Sequence, residues 1–204
     1  MNDFWNNRYA DAEFAYGTAP NQFLAEQLAN YQLTGRALFA AEGEGRNAVY
    51  AAKSGLRVDA FDLSTEGKQK ADRLAAVHNL QINYQTGEFT ELNYEPATYD
   101  VLALIYAHFP ADRKQEMNRQ LAEFVKPGGL VIFEAFGSRH LAYRSANPAV
   151  GGPGAQEMLF SVAEIEETFA DFEPLYLAEE TVNLNEGKYH RGEGSVVRFV
   201  GRRR

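Results

Sequence analysis

The feature that most constrains the fold is an alternation beginning at Gly35, in which short apolar runs are separated by longer segments of helical periodicity. The runs "RALFAA" (36 to 41), "LRVDAF" (56 to 61), "INYQTG" (82 to 87) and "YDVLALIY" (99 to 106) have strand length. The last is apolar nearly throughout, as burial on both faces of a sheet requires. Helical segments over 46–54, 64–79 and 111–124 lie between or after them, the second with Ser64 as N-cap and Gly67 weakening its first turn. "KPGG" then stops the third helix and turns the chain into the strand "LVIFEAF". Further on come a Gly/Pro loop over 145–155, a helix over 161–169, and two strands, "EPLYLAEETVNL" and "GSVVRFVG", joined by the turn "NEGKYHRGE". Apolar spacing at Phe23, Leu24, Leu28 and Tyr31 predicts a helix over 21–33 lying on the sheet. The expected fold is α/β, a sheet with helices on both faces.

The 204 residues fit a single domain, residues 1–204, with a sheet core from 35 onward. A net charge of -8 argues against nucleic acid as a partner, and Arg202 to Arg204, the one basic run, reads as a solvated tail. With no cysteine there is neither a disulfide nor a thiolate site, and the four histidines stand too far apart to suggest a metal. The polar start and the lack of an apolar run of roughly 18 residues lead us to expect a cytoplasmic protein without a membrane partner, as monomer or homodimer.

The stretch "AAEGEGRNAVY" follows the first strand and opens a helix. Gly43, Gly45 and Ala48 satisfy G-x-G-x-x-[G/A], and Asp62 ends the next strand, where it can grip a ribose diol. Dinucleotides and S-adenosylmethionine both meet this pattern. Charge discriminates between them: a pyrophosphate about 5 Å from Glu42 or Glu44 would meet repulsion of about 3 kcal/mol per charge pair at an effective dielectric near 20. A ligand bearing an ammonium and a sulfonium instead gains from those acids, while the helix start faces its carboxylate. Glu88, after the third strand, is placed to accept from an adenine amino group, with Phe89 packing on the ring. A nicotinamide oxidoreductase is the weaker alternative, since the chain has no Tyr-x-x-x-Lys pair and closes with a hairpin.

On "ALFAAEGEGRNAVYAA", "VDAFDLS", "GEF", "YDVLALIYAHFP" and "VKPGGLVIFEAF", the chain resembles class I S-adenosylmethionine-dependent methyltransferases, and within them the tellurite-resistance and thiopurine type. The resemblance implies a three-layer, Rossmann-like sandwich with a seven-stranded, mostly parallel, doubly wound sheet whose last strand is antiparallel. It implies S-adenosyl-L-methionine as cofactor and a small-molecule acceptor. The segment "FWNNRYADAEFAYGTAPNQFL" looks like this branch's opening, which makes residues 1–34 a cofactor-covering segment. Three positions depart from the common first motif: Phe39 stands where an acid is usual, Ala41 where a glycine is usual, and Glu42 where cysteine is frequent.

The cofactor residues expected are therefore Arg8 at the cofactor carboxylate, Glu42, Gly43, Glu44, Gly45 and Asn47 around the amino-acid end, Asp62 with Leu63, Glu88 with Phe89, and Ile105 with Tyr106. Methyl transfer needs alignment above all, worth about 7 to 11 kcal/mol, and a base only for an acceptor protonated at neutral pH. His108, in "IYAHFP", is the expected base. The branch's His-Arg pair at the substrate entrance falls on His190 and Arg191, with Arg198 further along; His140, Tyr143 and Arg144 are weaker candidates. A soft acceptor follows: a thiol, or a selenium or tellurium oxyanion. The competing reading is a protein that binds the cofactor without catalysis.

Overall fold

The computed structural model describes residues 2–204; Met1, the first residue of the expected covering segment, lies outside them. Seven strands form one sheet: β1 (Arg36–Ala40), β2 (Arg57–Asp62), β3 (Asn83–Thr86), β4 (Tyr99–Ile105), β5 (Val125–Phe136), β6 (Phe172–Glu186) and β7 (His190–Arg203). Their order is β3-β2-β1-β4-β5-β7-β6, and β7 alone runs antiparallel to its neighbours. The helices are α1 (Asn2–Tyr9), α2 (Gln22–Asn30), α3 (Arg46–Lys53), α4 (Thr65–Val77), α5 (Lys114–Ala122), α6 (His140–Ala146) and α7 (Val162–Thr168).

Alternation along the strands builds two cores, because successive side chains point to opposite faces. Leu38, Leu102, Leu104, Val131 and Phe133 pack with Met117, Leu121 and Ile165 on one side. Ala37, Phe39, Val101, Ala103 and Ile132 pack with Leu24, Leu28, Ala48 and Ala51 on the other. Phe39, the residue standing in place of an acid, is thus a core residue under α2 and α3.

Ser64 caps α4 as expected, accepting from Gly67 N at 3.0 Å. Gly67 has a packing reason to be small: a Cβ there would lie 2.8 Å from Gly43 O. Two local expectations change. "KPGG" interrupts no strand; it bulges out of β5, so that Tyr99 pairs with Val125 and Val101 with Leu130. Nor is the C-terminus a loose tail. β7 runs to Arg203, whose guanidinium donates to the carbonyls of Ala122, Glu123 and Val125, and Arg204 donates to Ala170 O. Those carbonyls sit where α5 gives way to β5, and a guanidinium satisfies several such orphan acceptors at once.

No helix among the described residues is long and apolar enough to cross a membrane.

Candidate functional site

β1 and β4 are neighbours whose connections leave in opposite directions, the arrangement that opens a crevice at the carboxyl ends of the strands. The residue after each takes a left-handed conformation, Ala41 at φ 52° and Tyr106 at φ 51°. Left-handed backbone is costly outside glycine and concentrates at functional sites. Ala41 therefore adopts the conformation for which the common motif uses glycine. Beside these two residues lies a cavity at the strand ends, walled by both polar and apolar side chains.

Of the residues expected at the cofactor, Glu42, Asn47, Asp62, Leu63, Glu88, Phe89, Ile105 and Tyr106 line this cavity, as do His108 and His190. Glu42 Oε1 accepts from the backbone N–H of Asn47 and of Ala48, both at 2.8 Å, capping the start of α3. Burial pushes its carboxyl up to about 7, against those N–H donors and the Arg46 charge. Asp62 accepts from Gly43 N at 2.9 Å and Ser64 N at 2.8 Å, and burial lifts it to about 6 despite these bonds. Both acids are short of positive charge, the condition that a cationic or hydroxyl-bearing ligand relieves.

Four expected residues lie elsewhere. Gly43 and Gly45, at φ 63° and 86°, shape the turn from behind: a Cβ on Gly43 would strike Tyr9 Oη at 2.5 Å, and one on Gly45 would strike Ala71 Cβ at 2.4 Å. Glu44 turns away from the cavity, its buried carboxylate joined to Lys70 Nζ at 2.7 Å and to Ala15 N at 2.8 Å. Arg8 lines a second, outer cavity, donating to Tyr16 Oη at 3.2 Å with its guanidinium 3.9 Å from the Tyr189 ring centroid.

The hairpin also differs from expectation. Its turn is only Gly187 to Tyr189, so His190 and Arg191 are consecutive strand residues with opposite facing. His190 is buried and lines both cavities; Arg191 is exposed, lines neither, and donates to Gly187 O at 2.5 Å. Arg198 is bound to Glu134 at 2.6 Å and Glu180 at 3.1 Å, away from the cavity. His140 is a buried structural residue, its Nε2 3.0 Å from Gly151 O, and Tyr143 Oη meets Thr181 Oγ1 at 2.7 Å. Arg144 and residues 151–154 of the Gly/Pro loop line the outer cavity.

His108 is stacked on Trp5, with ring centroids 5.7 Å apart. Burial, with the nearby His190 and Arg8 charges, lowers its imidazole to about 4. It is neutral at physiological pH and a weak base. His190 is better placed: Nδ1 lies 2.9 Å from Glu186 Oε2, which also meets Arg46 Nη2 at 3.1 Å. Burial lowers the His190 imidazole, while Glu186 works against that shift. Asn21 ties the group together: its side-chain amide donates to Glu134 at 2.6 Å and Glu186 at 3.1 Å, and its backbone N–H donates to Asn47 Oδ1 at 2.8 Å.

Sequence reasoning missed Trp5, Tyr9 and Tyr16, which wall the cavity from the N-terminal segment, and Arg46, Arg113 and Met117. A signal existed: Phe4, Trp5, Tyr9, Phe14 and Tyr16 crowd aromatics into a stretch otherwise polar.

Residues 37–129 match a family model described as a methyltransferase domain. No curated protein matches the chain. Among solved structures, TehB from Haemophilus influenzae superposes with a TM-score of 0.72 at 16% identity, over 99% of this chain and 66% of that one. The PH0226 protein from Pyrococcus horikoshii OT3 gives 0.68 at 18% identity over 90% and 89%. Magnesium protoporphyrin IX methyltransferase (ChlM) from Synechocystis PCC 6803, solved with bound SAH, gives 0.67 at 18% identity over 89% and 80%. At such identities the superpositions speak for the fold. The matched model adds that residues 37–129, which carry the strand-end cavity's Glu42, Asp62 and Glu88, are similar to a methyltransferase domain.

Proposed function

We propose that this protein transfers the methyl group of S-adenosylmethionine to a small acceptor carrying a soft nucleophile, such as a thiol or a selenium or tellurium oxyanion. The observation that supports it best is the set of three carboxylates, Glu42, Asp62 and Glu88, on one cavity at the strand ends. Glu42 takes the ligand's ammonium, Asp62 its ribose hydroxyls, and Glu88 with Phe89 its adenine. Trp5, Tyr9 and Tyr16, from within residues 1–34, cover the site and exclude water. When bound, S-adenosylmethionine supplies an electrophilic methyl carbon on a positively charged sulfur.

The chain's own residues then align the acceptor and handle its proton. His190 is the base for an acceptor that arrives protonated, because Glu186 holds Nδ1 and thereby fixes the ring's orientation and tautomer. His108 stays neutral and bounds the path between the two cavities.

Calorimetric titration with S-adenosylhomocysteine and, separately, with NADH tests the reading. Binding of S-adenosylhomocysteine alone is expected; binding of NADH alone overturns it. Failure to methylate a panel of thiols, oxyanions, phenols and amines despite cofactor binding would leave a non-catalytic binding protein.

A further inference from the structure

The two cavities differ in charge. The inner one is lined by the acids Glu42, Asp62 and Glu88 together with Arg46 and Arg113. The outer one has no acidic residue in its lining, although the chain carries 28 acids against 20 lysines and arginines. Its cations are Arg8, Arg144 and Lys188. Lys188 is paired with Asp11 and Glu13, whereas Arg8 and Arg144 form no ion pair among the described residues. Two guanidiniums without an acidic partner therefore face one cavity whose lining holds no acid.

Trp5, Tyr16, His108 and His190 line both cavities and so form the partition between them. The outer wall is the Gly/Pro loop, seated too closely for side chains. A Cβ on Gly151 would strike Tyr189 O at 2.1 Å, and one on Gly154 would lie 3.1 Å from Arg144 Nη1. Phe4, Pro148 and Met158 make the rest of the surface apolar.

From this arrangement we infer that the outer cavity is the acceptor site, and that the acceptor is a small organic anion. Its carboxylate or equivalent charged handle rests between Arg8 and Arg144, its apolar body lies against the loop, and its nucleophilic end reaches the partition at His190. The inference rests on the inner cavity being the cofactor site. An anion in the outer cavity gains two charge-assisted contacts, and its handle remains outside the acidic inner cavity, which fixes the orientation in which it enters.

The test uses benzoate and its neutral isostere benzamide, titrated into the full chain saturated with S-adenosylhomocysteine. Benzoate is expected to bind about tenfold more tightly than benzamide, the difference that one or two charge-assisted bonds make. Arg144→Met is expected to remove most of that preference while the affinity for S-adenosylhomocysteine stays within about twofold, since Arg144 lies outside the inner cavity. Raising the salt from low to high should weaken benzoate and spare benzamide. Equal binding of the two probes, or an unchanged preference in Arg144→Met, overturns the proposal. Failure of wild-type protein to bind S-adenosylhomocysteine would instead strike the cofactor reading, and benzoate against benzamide on the cofactor-free protein would still judge the outer cavity.

Discussion

His190 Nδ1 sits 2.9 Å from Glu186 Oε2, four residues back across the tip of the β6–β7 hairpin, and the same oxygen meets Arg46 of the glycine motif at 3.1 Å. One carboxylate thus links the start of α3 to the histidine that faces both cavities. Burial would raise the Glu186 carboxyl, yet the His190 hydrogen bond and the Arg46 charge hold it at about 2.

Glu186→Gln should destabilise the fold by about 3 kcal/mol, because it leaves the buried Arg46 guanidinium without its counter-charge. It should also lower the His190 pKa, moving the acid limb of the methyl-transfer profile to lower pH. Thermal unfolding reads the first effect and the pH dependence of turnover the second. The sign for acid stability follows from the depressed carboxyl: in wild type its contribution is full above about 4.5, the ordinary glutamate value, and is lost as pH falls towards about 2.

Glu42 makes cofactor affinity pH-dependent. Its carboxyl is raised to about 7, so the free protein holds a proton there that a bound ammonium displaces. Affinity for S-adenosylhomocysteine should rise as pH goes from about 5.5 to about 7.5, below the range in which the ligand's own amine titrates. In Glu42→Gln the upper part of that rise, near pH 7, should be missing. Calorimetry in buffers of different ionisation enthalpy would count the released proton.

Asp62→Asn keeps the size of the side chain and removes its charge, so it should weaken S-adenosylhomocysteine binding by a factor of about 10 to 150, the value of a charge-assisted hydrogen bond. Unchanged affinity would remove the ribose assignment.

Glu44→Ala breaks the buried pair with Lys70, at 2.7 Å, and should cost about 3 to 5 kcal/mol in chemical denaturation. Affinity of the folded fraction for S-adenosylhomocysteine should not change. A large loss of affinity at unchanged stability would return Glu44 to the site.

Ala41→Gly relieves a left-handed residue, at φ 52°, on the cavity wall. The gain should be about 1 kcal/mol, reduced by the added freedom of the unfolded chain. Denaturant midpoints at an unchanged slope would measure it.

The sequence by itself determined the order of the seven strands and of α2 to α5 and α7, the Ser64 cap, and the turn at which the crevice opens, because these follow from periodicity and from interactions within a few residues. It also set Asp62 and Glu42 at the strand-end cavity, since strand ends near a switch point fix where a short acid stands. Tertiary structure decided the rest. Glu42 and Glu44 flank the same glycine, but only the position of Lys70 on α4 draws one of them away from the cavity. His190 and Arg191 are adjacent, but the hairpin register alone chooses which faces inward. Trp5, Tyr9 and Tyr16 become walls of a cavity built by strands far along the chain. Such partners are distant in sequence, so local pattern leaves no trace of which charge meets which; that choice is made only when the elements pack.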